Sequence, residues 1–223
     1  MPHHVHLVLS LPPASVAEAD YGEWYELHVS EILETPGFIR ARRYWLDPAS
    51  PNRPGIEHRH FAAYVIDKDA DPLAALSKRV QAGELTLHDW FKEIRFHSYG
   101  GRPLEDAEFE LPDHGYLVFN HAPQRFTTEE YYGWYYAHAR ENVTADGFET
   151  VWRYALTPER VDPDGPKDST HGSFYKVNGE LPELRAALAE AAQAGRVDIP
   201  DWMPELESVA YDCRAASPAM ARG

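Results

Sequence analysis

The chain has 223 residues, of which 43% are hydrophobic and 13% aromatic, which is enough apolar material for a packed core. A formal net charge of −15 excludes a general attraction to nucleic acid or anionic membranes, although local arginines can still bind a small anion. The single cysteine, Cys213, excludes an intramolecular disulfide and a multi-cysteine metal site.

The first predicted elements are a strand over His3–Leu11 and a helix over Val16–Glu34. Apolar and polar residues alternate through the strand until two prolines end it. In the helix, one stripe carries large or titratable side chains, namely Tyr21, Trp24, Tyr25, His28 and Ile32. A proline and a glycine end the helix.

Ten further elements follow in chain order. In the first half we predict strands over Phe38–Leu46, His58–Ile66 and Glu93–Tyr99, and a helix over Pro72–Gln81. In the second half we predict strands over His114–His121, Gly147–Leu156, Ser173–Val177 and Glu205–Tyr211, and helices over Thr128–Val143 and Pro182–Ala194. Each half therefore has the order β-α-β-β-α-β.

The two halves repeat each other at an offset of 110 residues. Trp24, Tyr25, His28, Gly37, Phe38, Arg43 and Tyr44 recur as Trp134, Tyr135, His138, Gly147, Phe148, Arg153 and Tyr154. Agreement of rare residue types at one offset indicates a duplicated unit. We predict two domains, 1–102 and 113–214, with an acidic linker over Gly101–Pro112 and a disordered tail over 215–223.

The predicted fold class is α+β. Helices cover one face of each four-stranded antiparallel sheet and leave the other face bare. Two bare faces in one chain can bury each other, so we expect the two ferredoxin-like repeats to pack sheet to sheet as an intrachain α/β barrel. We expect this barrel to enclose a sheltered chamber whose imidazoles come mainly from the first repeat.

The segment Trp24-Tyr25-Glu26-Leu27-His28, followed by Pro36-Gly37-Phe38 and Arg43-Tyr44, resembles the helix and second strand of the dimeric α/β-barrel superfamily. The nearest branch is the EthD-like one, although Asp146 replaces the proline in the second copy. The resemblance covers nearly the whole chain and implies the fold. It does not imply one reaction, because that superfamily includes cofactor-free monooxygenases, polyketide cyclases, isomerases, dehydratases, decarboxylases and haem proteins.

The strands of the first copy carry more basic and titratable residues than those of the second: His4, His6, Arg40, Arg42, His58, His60, Arg95 and His97. We therefore expect the site in the first half. The candidate catalytic residues are His6, His28, His60 and Tyr44. The candidate substrate-binding residues are Arg40, Arg42, Tyr64, His97, Trp24, Tyr25 and His138. Histidine suits proton transfer, arginine suits a carboxylate or enolate, and aromatic rings stack on conjugated substrates.

The predicted strand order places the first strand between the third and the fourth. We expect His6 to share a sheet face with His97 and Tyr64, and His58 and His60 to lie together toward the opposite end. Each histidine also has an ordinary structural interpretation. A helix histidine can be a hydrogen-bonded core residue, and a strand histidine can be an exposed surface residue.

These residues favour a cofactor-independent lyase or isomerase, in which a histidine abstracts a proton from a small conjugated or aromatic, carboxylated substrate of aromatic-compound catabolism. Three alternatives stay open: a cofactor-free monooxygenase of the antibiotic-biosynthesis type, a non-enzymatic ligand-binding or assembly protein, and a metalloenzyme. The pairs His4/His6 and His58/His60 are the only support for a metal, so we predict no metal and no cofactor.

The expected partner is a small-molecule substrate, with no nucleic acid and no membrane. The sequence starts without a signal-peptide pattern and contains no long apolar run, so we expect a cytoplasmic protein. A barrel formed within one chain is compatible with a monomer, and the resemblance implies a homodimer as the alternative.

Overall fold

A computed structural model describes residues 3–49, 57–163 and 169–223. Its strands are β1 (His4–Leu11), β2 (Phe38–Pro48), β3 (His60–Ile66), β4 (Arg95–Pro103), β5 (His114–His121), β6 (Phe148–Arg160), β7 (His171–Val177), β8 (Glu207–Ala215) and β9 (Met220–Ala221). Its helices are α1 (Glu18–Leu33), α2 (Pro72–Gln81), α3 (Thr128–Asn142) and α4 (Leu181–Gln193). Short 3-10 helices span Asp89–Glu93 and Met203–Glu205.

Eight of the strands form a closed antiparallel barrel. The first half contributes the order β2-β3-β1-β4 and the second half contributes β6-β7-β5-β8. Pairing of β4 with β6 and of β2 with β8 joins the two half-sheets at both edges. The α+β class and the intrachain barrel of two ferredoxin-like repeats are therefore confirmed.

The interior of the barrel is filled with side chains. Large buried residues from both halves pack there, among them Leu7, Tyr44, Phe61, Tyr99, Phe119, Trp152, Phe174 and Tyr211. The expected chamber lined by imidazoles inside the barrel is therefore wrong. Successive strand residues point to opposite faces, so the alternating aliphatic residues of β1 enter the barrel while its histidines face the helices.

The segment that joins the halves enters the barrel as a plug. Phe109 and Leu111 are buried in the core, whereas the acidic residues between and before them are exposed. Arg40 and Arg42 hold this plug by donating hydrogen bonds to the carbonyl oxygens of Phe109 (3.0 Å) and Leu111 (2.6 Å). Leu111 has φ 55, a left-handed conformation that costs a branched residue energy and that this packing maintains.

Helix α1 is fastened to the outer face of the first half-sheet by Arg43. The guanidinium donates to the Gly22 carbonyl oxygen (2.8 Å) and to Glu26 Oε1 (2.9 Å), and it lies 4.6 Å from the centre of the Tyr25 ring. Arg153 does the same for α3, where it donates to the Tyr136 carbonyl oxygen. The recurrence of this arginine in both copies therefore has a packing explanation.

Two predicted boundaries differ from the structure. Residues 101–103 belong to β4 rather than to a linker, because Gly101 pairs with both β1 and β6. The predicted disordered tail contains β9, which pairs with Arg40 and Ala41 of β2. None of the helices in the described part of the chain is both long and apolar enough to span a membrane.

Candidate active site

A cavity of about 180 Å³ lies outside the barrel, between α1 and the helix-covered face of the first half-sheet. Its lining residues are His6, Val8, Tyr25, His28, Ile32, Phe38, Tyr64, Leu76, Phe91, Phe96, Ser98 and Arg160. Most of them are apolar or aromatic, and a few polar groups converge among them, as is typical of sites for small organic ligands. We call this space the His6 cavity.

His6 is placed in the cavity wall by the strand register. It aligns with Tyr64 of β3 and with Gly100 of β4, and aligned residues of antiparallel strands share a sheet face. The rings of His6 and Tyr64 have their centres 5.8 Å apart, so the predicted shared face of these two residues is confirmed. Both face α1 rather than the barrel interior.

A carboxylate from the second half contacts His6. Oε2 of Glu159 lies 2.6 Å from Nδ1 of His6, and the two side chains are 26% and 11% exposed. The oxygen lies off the direction of an aligned hydrogen bond, so this is a close polar contact that becomes an ion pair when the imidazole is protonated. A carboxylate at Nδ1 favours the tautomer that leaves Nε2 unprotonated.

A β-bulge in β6 gives Glu159 its direction. Ser98 of β4 aligns with Arg160, but the next residue, Tyr99, aligns with Pro158, so Glu159 is the extra residue. Bulges re-aim side chains and are frequent beside active sites. Because the bulge interrupts the alternation of faces, consecutive residues Glu159 and Arg160 both lie at the His6 cavity.

Gly100 makes room for this carboxylate. A Cβ atom at residue 100 would lie 2.7 Å from Oε1 of Glu159, closer than non-bonded atoms approach. Glycine at this position therefore allows Glu159 to reach across β4 toward His6.

Nδ1 of His28, on α1, is buried and has no hydrogen-bond partner of acceptable geometry among the described residues, whereas the hydroxyl of Tyr25 lies at the side chain of Ser10. His28 is 8% exposed and Tyr25 is 2% exposed. Burial lowers the pKa of His28 to about 4 and raises the pKa of Tyr25 to about 12, so both groups are neutral near pH 7. Both side chains line the His6 cavity, where the imidazole of His28 is available to hydrogen-bond to a bound oxygen atom.

Arg160 supplies a cation to the cavity. Its guanidinium lies 5.0 Å from the centre of the Phe96 ring and makes no ion pair with any described residue. Two other arginines of this half-sheet are engaged in ion pairs, Arg43 with Glu26 and Arg95 with Asp162. Arg160 is thus available to an anionic group of a ligand.

Trp24 does not line the cavity; it packs behind His28, which does. Its ring stacks on His28 at 4.7 Å, and its Nε1 donates to the Thr86 carbonyl oxygen at 2.8 Å. These contacts fix the orientation of the His28 imidazole.

His60 lies on the same sheet face as His6 but outside the cavity lining. It aligns with Ser10 and with Trp45, as the sequence predicts, and its Nε2 lies 2.7 Å from Glu18 Oε1. The ring is enclosed by Tyr21, with centres 4.6 Å apart, and by Trp45. Burial lowers the pKa of His60 to about 3, so this histidine is neutral at pH 7.

The barrel holds three of the other predicted site residues. Tyr44 packs against Phe61 and Phe174 and is fully buried, while Arg40 and Arg42 hold the plug. Arg42 also contacts Asp113 at 2.6 Å. The structure does not bring these residues to the His6 cavity, because they occupy the strand positions that alternate with the helix-facing ones.

His97 is also on the opposite face from His6, which corrects the predicted pairing. It aligns with Leu9 of β1, and its Nδ1 accepts from the Asp162 backbone N–H at 3.3 Å. His58 lies near it, with ring centres 6.4 Å apart, rather than beside His60. The interpretation of His58 and His60 as one pair is therefore wrong, since β3 begins only at His60 and the two rings are on different sides of the sheet.

In the second half, the equivalent positions have different residues. Tyr116 stands where the first half has His6, and its ring packs against Phe148 and Tyr175. His138, the equivalent of His28, stacks on Trp134 at 4.5 Å and hydrogen-bonds through Nδ1 to the Asp198 carbonyl oxygen. The structure thus places His138 away from the His6 cavity.

Sequence reasoning missed three residues. Glu159 and Arg160 were missed because their approach depends on the β4–β6 pairing and on the bulge. His171 was missed because it is offset by 111 residues from His60, yet it aligns with Ala155 as His60 aligns with Trp45. A search that allowed a one-residue shift after the second strand would have found it.

Within residues 3–49, 57–163 and 169–223, no three or more His, Cys, Asp or Glu side chains are grouped so that they could hold a metal ion. The polar chemistry of the His6 cavity is that of imidazole, carboxylate, phenol and guanidinium groups.

No family model matches the chain, and no curated protein matches its sequence. Its structure is similar to that of an anthrone oxidase-like protein, with a TM-score of 0.51, 14% identity, and coverage of 99% of this chain and 94% of the other. It is also similar to a candidate monooxygenase from Fusobacterium nucleatum, with a TM-score of 0.51, 10% identity, and coverage of 100% and 96%. At these identities the likeness shows the fold, an α/β barrel of ferredoxin-like halves.

Proposed function

We propose that the chain is a cofactor-independent enzyme that abstracts a proton from a small conjugated or aromatic substrate, acting as a lyase or isomerase. His6 is the general base and Glu159 orients it. The observation that carries this proposal is the 2.6 Å contact between the two residues at the wall of an aromatic cavity. A positioned base contributes about 10²- to 10⁴-fold to rate.

The proposed step moves one proton. Nε2 of His6 takes a proton from a carbon next to a carbonyl group or from a phenol, and Glu159 stabilises the imidazolium that forms. The electron pair left on the substrate is delocalised onto its oxygen. His28, which is neutral and has no hydrogen-bond partner at Nδ1 among the described residues, can donate a hydrogen bond to that oxygen as its charge develops.

The size of the cavity indicates a single ring. A protein cavity of about 150 Å³ holds benzene, and the His6 cavity is about 180 Å³. Aromatic side chains such as Phe38, Tyr64 and Phe91 can contact the ring from several sides. A substrate with three fused rings would need the cavity to open further.

The second candidate function is a cofactor-free monooxygenase. It is favoured by the names of two structural neighbours, an anthrone oxidase-like protein and a candidate monooxygenase. The first step is the same proton transfer to His6. The resulting anion then reduces dioxygen, so that a CH₂ group becomes C=O, one oxygen atom stays in the product and the other leaves as water.

Turnover tests the shared step and then separates the two reactions. Candidate substrates with one ring and an acidic C–H or O–H group are incubated with the wild-type protein, with His6→Gln and with His88→Gln, an exposed histidine outside the cavity. We expect His6→Gln to lower kcat by at least about 10²-fold and His88→Gln to leave it unchanged. Dioxygen consumption in an oxygen electrode indicates the monooxygenase, and turnover without it indicates the lyase or isomerase. Equal activity of the wild-type protein and His6→Gln contradicts both.

Four finer assignments belong to the same proposal: the duplication, the family branch, the oligomeric state and the location in the cell. The offset of 110 residues that relates Trp24–Tyr44 to Trp134–Tyr154 supports a tandem duplication, and the W-x-x-x-H helix supports the EthD-like branch. The closed barrel within one chain supports a monomer or a homodimer whose barrels do not depend on each other. We place the protein in the cytoplasm, where small aromatic acids are degraded.

A further inference from the structure

We infer that the ligand of the His6 cavity is a single-ring carboxylic acid that also carries a hydroxyl or keto oxygen, with its carboxylate bound by Arg160. This inference deepens the proposed function. It rests on that function only in taking the His6 cavity as the binding site. Three observations carry it: the charge at Arg160, the imidazole of His28 without a hydrogen-bond partner at Nδ1 among the described residues, and the apolar wall of the cavity.

The carboxylate position is indicated by Arg160. Its guanidinium has no carboxylate within ion-pair distance among the described residues, although the chain has 36 Asp and Glu residues against 21 Lys and Arg. Arg160 is exposed, and its guanidinium lies 5.0 Å from the centre of the Phe96 ring at the cavity wall, where it can meet an anionic group of a ligand. Against a net charge of −15, an anionic ligand needs such a local cation.

Glu159 affects the local charge that an incoming carboxylate meets at Arg160. It is next to Arg160 in the chain, and its negative charge opposes an incoming carboxylate unless a positive charge offsets it. His6 is in contact with Glu159 and can take a proton, and Arg160 supplies a permanent charge. The site therefore accepts one anionic group at Arg160 and offers no cation for a second.

The oxygen substituent is indicated by His28. Its imidazole lines the cavity, and Nδ1 has no hydrogen-bond partner among the described residues. A ligand hydroxyl or keto oxygen can hydrogen-bond to this imidazole, whereas the hydroxyl of Tyr25 already lies at Ser10. A site of this kind rejects an analogue that lacks the oxygen, because the imidazole is then left unsatisfied in the complex.

The remaining wall is apolar. Val8, Phe38, Leu76 and Phe91 offer no hydrogen bonds from their side chains, so they favour the ring itself. Together with the volume of about 180 Å³, they exclude a sugar or a flexible polar acid of similar charge. The ligand class is therefore a hydroxylated or keto-substituted aromatic, or cyclic conjugated, acid.

Calorimetric binding to the whole protein tests the carboxylate assignment. The probes are the three hydroxybenzoate isomers and the matching hydroxybenzamides, which keep shape but lose the charge. We expect the best hydroxybenzoate to bind about tenfold more tightly than its amide. Arg160→Gln should remove that preference, and Arg102→Gln, which makes the same charge change at an exposed position of β4, should keep it.

A second comparison of ligands tests whether the site binds a hydroxyl or keto oxygen. The best hydroxybenzoate should bind about tenfold more tightly than benzoate, and His28→Phe should reduce this ratio without affecting the preference for acid over amide. His28→Gln serves as the second variant if His28→Phe alters folding, which a melting curve reveals. Equal binding of benzoate and hydroxybenzoate would overturn this part.

Measurements of binding and of turnover distinguish failure of this inference from failure of the proposed function. Absence of hydroxybenzoate binding at millimolar concentration, equal binding of acid and amide, or an equal effect of Arg160→Gln and Arg102→Gln overturns the inference. Acid-selective binding without turnover of any such acid leaves the inference standing and counts against the proposed reaction. Turnover of neutral compounds with no preference for acids counts against the inference alone.

Discussion

At the scale of single residues, the candidate site depends on side chains that take unusual directions. Glu159 reaches His6 because a bulge turns it toward the cavity and because Gly100 leaves space for it. His28 stays uncharged because it is buried against Trp24. Neither effect can be read from hydrophobic periodicity, since the first depends on strand pairing across the halves and the second on tertiary burial.

Gly100→Ala tests the approach of Glu159. The added methyl group would meet Oε1 at 2.7 Å and displace the carboxylate from His6. We expect a loss of about 10²-fold in kcat, the effect of misplacing a group near the reaction by about 1 Å. Glu159→Gln should reproduce most of that loss. Gly133→Ala, at a helix position with no atom within 4 Å of the new Cβ, is the matched control and should retain full activity.

Buried histidines predict a dependence of stability on pH. Burial lowers the pKa of His28 to about 4, that of His60 to about 3 and that of His171 to about 4, from an ordinary value of 6.5. Between these values the unfolded chain binds protons that the folded protein does not. The free energy of unfolding should therefore fall as pH drops from about 6.5 toward 4, by up to about 1.4 kcal/mol per pH unit for each histidine.

Urea denaturation at a series of pH values measures this slope. His28→Gln should make the loss of stability between about pH 6.5 and 4 shallower, because one of the protons taken up on unfolding is removed. His88→Gln, at an exposed position, should leave the slope unchanged. An identical slope in all three proteins would contradict burial as the cause of the lowered pKa of His28.

At the scale of elements, the sequence predicts most of the architecture. The twelve main elements appear in the predicted order, with ends displaced by a few residues, because each has a clear period and a proline or glycine boundary. The segment 104–113 was misread because its acidic residues resemble a linker. Its alternation of Glu108, Phe109, Glu110 and Leu111 in fact buries every second side chain in the barrel.

Phe109→Ala should destabilise the protein by about 3–5 kcal/mol, the range for truncating a buried phenylalanine. The phenyl ring packs against Trp152, Tyr154 and Phe174, so its removal leaves a void that rigid neighbours cannot close. Glu110→Ala, one residue away and exposed, should change the free energy of unfolding by less than about 0.5 kcal/mol. Similar denaturation midpoints for the two variants would show that the segment is not a plug.

At the scale of the whole molecule, the prediction of two packed sheets is confirmed but the expected position of the site was on the wrong side of them. Each face of the sheet carries residues that could line a ligand site. Histidines lie on one face, and aliphatic or aromatic residues lie on the other. Which face becomes a barrel interior depends on which set packs more densely. Residues of the first half supply most of the lining of the His6 cavity, and the contribution of the second half was not foreseen.

The unequal halves predict one binding site per chain. Tyr116 replaces His6 in the second half and packs against Phe148, and Ala49 stands at the position equivalent to Glu159. Calorimetric titration with the best hydroxybenzoate should therefore give a stoichiometry of one. Tyr116→His should not raise it to two, because the carboxylate partner is still missing. A stoichiometry of two in the wild-type protein would contradict this.

The pairing of β4 with β6 within a single chain has one more consequence. In a barrel assembled from two identical subunits, every substitution is introduced twice, and a change that helps one cavity is also imposed on the other. Covalent connection of the halves removes that constraint, so residues 6 and 116 can differ, as can residues 49 and 159. One cavity can then acquire a base and its carboxylate from different halves, while the other half retains a stable, aromatic scaffold.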